Sequence, residues 1–423
     1  MTITVHAPTA DRTETVSSRR PLLMLGLATL GFALNFWAWA LLSPLGAHFK
    51  DVLALSGSTQ ALLVAVPVVV GSLGRIPVGA LTDRYGGRVM FPAVTFATIV
   101  PVLFLGYLGY RSYAALIVGG FFLGIAGTAF AVGVPFVNGW FPPERRGFAI
   151  GIFGAGMGGT AISALTTVKL VEHSNIHTPF LITAIVLAAY GVVAAVVLRD
   201  PPHRVVPTES ALHRLASTTK LAITWQAAAL YAVGFGGYVA FSVYLPTYLK
   251  TAYELTQDDA ATKMAGFVLV AVFMRPVGGY LSDRFDATKI LAVVFAIVGV
   301  FAAVQSSEPA LKPLGTIAFL TMAAALGTAS GAVFALVAQR APANRVGAVT
   351  GFVGAAGGLG GFIPPLLMGS IHDWTGSYAG GLIALAVVAA IVTLFSVFGV
   401  RGQTRSQPRR VGAVPSRVVD RDR

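Results

Sequence analysis

Two arginines, Arg75 and Arg275, stand 200 residues apart, each inside a long apolar run. A guanidinium at bilayer depth costs roughly 2.5–3.5 kcal/mol even on lenient insertion scales, so two of them need a reason. Neither has an obvious counter-charge: no Asp or Glu falls within the central two-thirds of any apolar run. The acids nearest membrane depth, Asp83, Glu172, Asp283 and Asp373, sit at run ends. One buried arginine can be satisfied by helix carbonyls, but a matched pair is harder to explain that way. Guanidinium is a planar fork of donors that stays protonated and meets planar oxyanions bidentately. The pair is therefore expected to be an anion clamp, and two opposed forks suit a small planar anion better than a bulky one.

The elements that must hold such a clamp follow from composition. The chain has 423 residues, is 55% hydrophobic and 11% charged, and has a mean hydropathy of +0.76, which marks an all-α polytopic membrane protein. Twelve runs are long enough to cross about 30 Å of hydrocarbon as helices. They lie near 22–43, 60–82, 89–108, 113–138, 147–170, 179–198, 225–249, 262–282, 289–306, 313–337, 347–370 and 379–399. Residues 1–20 are too polar for a signal peptide, so the first run is expected to act as an uncleaved anchor.

The net charge of +13 suggests nucleic acid only until the charges are placed. Alternating the loops puts 22 Lys/Arg on the side of the N-terminus, six on the other and two within runs, accounting for all 30. Both termini are then expected in the cytoplasm of a bacterial-type cell, with the chain in its plasma membrane and no nucleic-acid partner. The seven arginines of 401–423 form a basic arm suited to anionic headgroups of the bilayer. An enzyme is not expected. The seven histidines (His6, His48, His173, His177, His203, His213, His372) fall at ends or in loops without metal-ligand or triad spacing, so neither metal nor cofactor is foreseen. Cysteine is absent, which removes thiol chemistry.

The arginines also belong to an internal repeat. GRIPVGALTDRYGGR (74–88) faces MRPVGGYLSDRFDATK (274–289) without a gap, so that Gly79 meets Gly279 and Asp83-Arg84 meets Asp283-Arg284. The offset persists from FPPERRGFAIGIFGAG (141–156) to APANRVGAVTGFVGAA (341–356), where Gly154 meets Gly354. The expected organisation is a tail (1–20), a six-helix half (21–198), a linker (199–222), a second half (223–400) and a basic tail (401–423). Parallel repeats about an axis along the membrane normal enclose a cavity at their interface, and rocking one half on the other opens it to each side in turn.

The loops 79–88 and 279–285 resemble those after the second helix of each half in the major facilitator superfamily, with the resemblance covering essentially the whole membrane region. It implies that Asp83, Arg84, Asp283 and Arg284 form a conformational latch, a carboxylate at a helix end pairing with a neighbouring helix or its N-terminal dipole. Glycine-rich stretches in the fifth run (Gly154, Gly156, Gly158) and the eleventh (Gly357, Gly358, Gly360), with the arginine pair, resemble the nitrate/nitrite porter family. In the fifth run Gly159 stands where the family commonly has an anion-contacting Asn, leaving a backbone contact or room for water at that position. LYAVGFGGYVAFS (230–242) resembles the family's pocket segment. That implies Tyr231 as a hydroxyl donor to the anion, with Phe235 and Phe130 walling the pocket against water.

Carriage of nitrate and nitrite by a functional monomer is the expectation the resemblance implies; a short carboxylate or other small anion is the alternative. Two unscreened cations repel each other in an empty pocket, and a monovalent anion relieves this, which favours exchange. Proton symport, known among related carriers, stays open, although the spans hold no central Asp or Glu to carry the proton.

Overall fold

The computed structural model describes residues 19–142, 145–202, 204, 216–342 and 345–400, without the side chains of 146–148, 283 and 347. Expectations for residues 1–18, for the middle of the linker and for the basic arm at 401–423 lie outside the described residues.

Apolar runs of this length can satisfy their backbone in lipid only as helices. Twelve spans result: span 1 Arg19–Leu53, span 2 Gly57–Tyr85, span 3 Gly87–Arg111, span 4 Tyr113–Trp140, span 5 Ala149–His173, span 6 Thr178–Val197, span 7 Ala222–Tyr253, span 8 Gln257–Ser282, span 9 Ala287–Gln305, span 10 Leu311–Arg340, span 11 Ala348–Thr375 and span 12 Ala379–Gly399. No strand occurs among the described residues. Each span contains its expected run to within a few residues and most extend beyond it, because polar caps lengthen helices past the apolar window. Ser56, Ser112 and Thr256 accept from backbone N–H groups at the starts of spans 2, 4 and 8. Asp286 caps span 9 through Thr288, and the Thr288 hydroxyl holds its carboxyl below the usual range.

Burial sorts the spans. In span 7, 78% of the most apolar window is buried, against 28% in span 12, so span 7 lines the interface between halves and span 12 faces lipid. The repeat survives in the packing: a Cβ added at Gly127 would overlap Gly71, and one at Gly327 would overlap Ala271, at the same offset. Spans 2 and 4, and spans 8 and 10, thus approach backbone to backbone.

Several paired spans differ in continuity, although span 11 is itself interrupted between Gly360 and Ile363. Span 2 breaks at Gly74, immediately before Arg75, and spans 4 and 5 tighten into 3₁₀ turns over Gly124–Thr128 and Ala155–Gly158. In the second half one helix runs unbroken from Gln257 to Arg284 through Arg275, and another from Thr316 to Arg340.

At the end of the bundle away from Asp83 and Asp283, polar groups join the two halves. Asp373 accepts from the backbone N–H of Gly57 and of Ser58, both at 2.8 Å, at the start of span 2. Ser43 Oγ donates in the vicinity of two span 7 carbonyls, Ser242 at 3.0 Å and Val243 at 2.9 Å. Gln60 donates to Thr247 at 3.0 Å and Gln257 to the Pro44 carbonyl at 2.6 Å. Lys250–Asp51 (2.6 Å) and Lys169–Asp258 (3.9 Å) form ion pairs across the same seam. This end is closed.

Candidate functional site

Arg75 and Arg275 converge midway along the bundle, 8% and 7% exposed. Both lie over the same two aromatic rings, one from each half. Arg75 Cζ is 5.2 Å from the Phe130 centroid and 5.7 Å from that of Phe235; Arg275 Cζ is 5.9 and 5.7 Å from them. Cation–π attraction to shared rings, about 2 kcal/mol when desolvated, offsets part of the desolvation and repulsion of the two charges. The described ion pairs involve residues near span ends, such as Lys250–Asp51 and Arg204–Asp200, and neither arginine takes part in one.

The neutral partners differ. Arg275 donates from Nη2 to the Tyr231 hydroxyl at 2.9 Å and from Nη1 to the Met157 thioether. Arg75 donates from Nη1 to the backbone carbonyl of Gly354 at 2.6 Å, across the interface between halves. Its Nε is 3.5 Å from the Gly127 carbonyl in the 3₁₀ turn of span 4. Tyr231 is fully buried and stacks on Phe235 at 5.0 Å, one helical turn away on span 7. Phe334 of span 10 closes the Arg275 side, 4.7 Å from the Tyr231 ring and 5.7 Å from the guanidinium. Two positive forks and a phenol between apolar walls can bind a small anion stripped of water.

The sequence-selected glycines divide into two groups. A Cβ on Gly154 would stand 3.7 Å from the Arg275 side chain, and one on Gly357 would enter the Tyr231 ring, so both give the arginine and the phenol room. Gly358 borders Ser72 and Arg75. By contrast, Gly156 packs on Phe32, Gly159 on the Ala33 carbonyl and Gly360 on the Ala232 carbonyl, where they bring helices together. Gly159 therefore faces span 1 rather than the arginines. Gly158 has open space where a Cβ would stand. In span 1, Asn35 bonds to Gly31, Thr95 and Thr98 and serves the bundle of the first half.

At the expected latch, Asp83 is half-buried while Arg84 and Arg284 are exposed beside Tyr85 and Tyr280; the Asp283 side chain lies outside the described residues. The carboxylate at the N-terminus of span 3 belongs to Asp200, which accepts from Arg88 N–H at 3.1 Å. Gly86, at φ +87°, makes space for it. Arg204 joins the two loops, pairing with Asp200 at 3.6 Å and donating to the Asp83 backbone carbonyl at 2.9 Å.

Met157, Phe334 and the Gly354 carbonyl were not singled out from sequence. Only Gly354 carried a signal, as the repeat mate of Gly154.

Residues 28–365 match the family model described as Major Facilitator Superfamily. The chain is 46% identical over 388 residues to a probable nitrate/nitrite transporter, NarK2, of Mycobacterium tuberculosis (strain ATCC 25618 / H37Rv), covering 91% of this chain and 98% of that one. It is 35% identical to a nitrite extrusion protein of Bacillus subtilis (strain 168), covering 88% and 92%. Among solved structures it is similar to a bacterial homolog of the human lysosomal transporter Spinster in an inward-facing, occupied conformation. There the TM-score is 0.70 at 19% identity, covering 90% of this chain and 97% of that one, a likeness of fold.

Proposed function

The chain belongs to the Major Facilitator Superfamily and is an integral membrane transporter rather than an enzyme; from that premise we propose that it carries nitrate and nitrite across the membrane by alternating access. The observation that carries the reading is the convergence of two buried guanidinia over Phe130 and Phe235, with no ion pair to either among the described residues. Relatives named for nitrate and nitrite support the choice of anion.

Binding places a monovalent anion between the forks. Tyr231 accepts from Arg275 and keeps its own proton to donate to an anion oxygen, while the phenylalanines exclude water. Loading lowers the repulsion between the arginines, so the loaded carrier reorients more readily than the empty one and nitrate moves in as nitrite moves out. The closed end faces away from the cytoplasm, by the charge bias of the loops. On the cytoplasmic side the Asp83–Arg84 and Asp283–Arg284 loops, with Asp200 and Arg204, form the latch. The carrier works as a monomer.

Binding of nitrate, nitrite, chloride, formate and lactate to the purified protein tests the site by thermal shift. Nitrate and nitrite should stabilise it and Arg75→Lys or Arg275→Lys should abolish the shift. An arginine-dependent shift with an organic anion alone would refute the substrate. Counterflow in proteoliposomes tests the coupling: uptake that needs no internal anion and acidifies the lumen would refute exchange.

A further inference from the structure

Ser72 of span 2 is 1% exposed, one turn before Arg75. Many buried hydroxyls on these helices turn back onto the preceding turn, as Thr82 does to Val78, Thr98 to Val94, Thr328 to Ala324 and Ser330 to Leu326, while Thr183 and Ser282 have no partner among the described residues. Ser72 forms no side-chain hydrogen bond among the described residues. Ser72 instead lines a small cavity together with Arg75, Phe36, Trp39, Phe235 and Gly358. A Cβ on Gly358 would overlap Ser72 Oγ and come within 3.5 Å of Arg75 Nη1, so the hydroxyl fills the space that the glycine leaves, beside the guanidinium.

The repeat supplies the second half of the argument. Arg275 has a hydroxyl partner in Tyr231, whose mate in the first half is Gly31; Arg75 has no tyrosine to match it. Ser72 has Val272 as its own mate, so each half carries one hydroxyl that the other lacks. The acceptor now on Arg75, the Gly354 carbonyl, has no proton to offer an anion. We propose that Ser72 is the neutral donor to the transported anion on the Arg75 side of the clamp, and a determinant of its preference for a planar oxyanion. A trioxyanion has separate acceptors at fixed directions, so one oxygen can face Ser72 while others face the guanidinium, whereas a halide accepts from any direction and can shift toward the remaining donors when one is lost.

The inference rests on the anion-carrier reading above, and one titration series separates the two. Nitrate and chloride are titrated into the full-length unsubstituted protein, Ser72→Ala, Ser72→Cys, Ser72→Thr and Arg75→Lys. Ser72→Cys retains volume with a weak donor, so a packing defect is distinguished from loss of the hydroxyl. Nitrate Kd should rise about tenfold in Ser72→Ala and Ser72→Cys and stay within about twofold in Ser72→Thr, with chloride affinity moving far less. If Ser72→Ala and Ser72→Cys bind nitrate as tightly as the unsubstituted chain while Arg75→Lys does not, Ser72 has no such role and the carrier reading stands. If the unsubstituted protein binds no nitrate, both fall together.

Discussion

Arg75 and Arg275 are mates in the repeat, share two aromatic rings and are almost equally buried, yet they are held in different ways. Arg275 leans on side chains, a phenol and a thioether, and projects from an unbroken helix. Arg75 follows a break at Gly74 and is held by main chain, including a carbonyl of the opposite half. A phenol can accept from its arginine and still donate to a ligand, while a carbonyl can only accept. The repeat thus accounts for the charge, and its departures for the neutral groups around it. In the proposed clamp the contact from Arg75 to Gly354 would also tie binding to the relative position of the halves, because an anion drawing Arg75 off that carbonyl would release a bond across the interface.

The largest test of this comparison replaces either guanidinium. Arg75→Lys and Arg275→Lys should each weaken nitrate binding by about 100-fold or more, since an ammonium cannot reproduce a bidentate fork. A loss confined to one of them, read by titration, would break the picture of a two-sided clamp. Next comes Gly357→Ala, which drives a methyl into the Tyr231 ring; nitrate Kd should rise by about 30-fold through displacement of the phenol and its stacked partner Phe235. Tyr231→Phe keeps the stack and removes only the hydroxyl, so an increase of about tenfold is expected, with maximal exchange rate little changed in proteoliposomes. Smallest is Met157→Leu. A thioether is a weak acceptor, and a change of about twofold in Kd is expected; an effect as large as that of Tyr231→Phe would mean that Met157 sets the pose of Arg275.

The membrane architecture was legible because run length alone identifies spans, and because the repeat aligned the arginines without a gap. Rotational phase was not. A helix that is apolar on every side has no amphipathic stripe to show which face meets which neighbour. That is why Gly159 could be assigned to the pocket from sequence although it packs on the Ala33 carbonyl, and why Phe334 gave no sign of reaching Tyr231. Asp200 escaped for another reason. It lies 112 residues from the Arg88 amide it caps, and nothing local to the DRYGGR segment points to it.

The carboxylate of Asp373 holds two amides at the start of span 2 across the closed end. Those amides form a clock. While the seam is shut, Gly57 and Ser58 are shielded from deuterium; each opening exposes them for the lifetime of the open state. Where chemical exchange is fast compared with reclosing, their labelling rate equals the frequency of opening, and no cycle that passes through the open state can turn over faster. An amide isotope measurement on the anion-loaded transporter, the form that reorients more readily, therefore sets a ceiling on its speed without following any anion across the membrane.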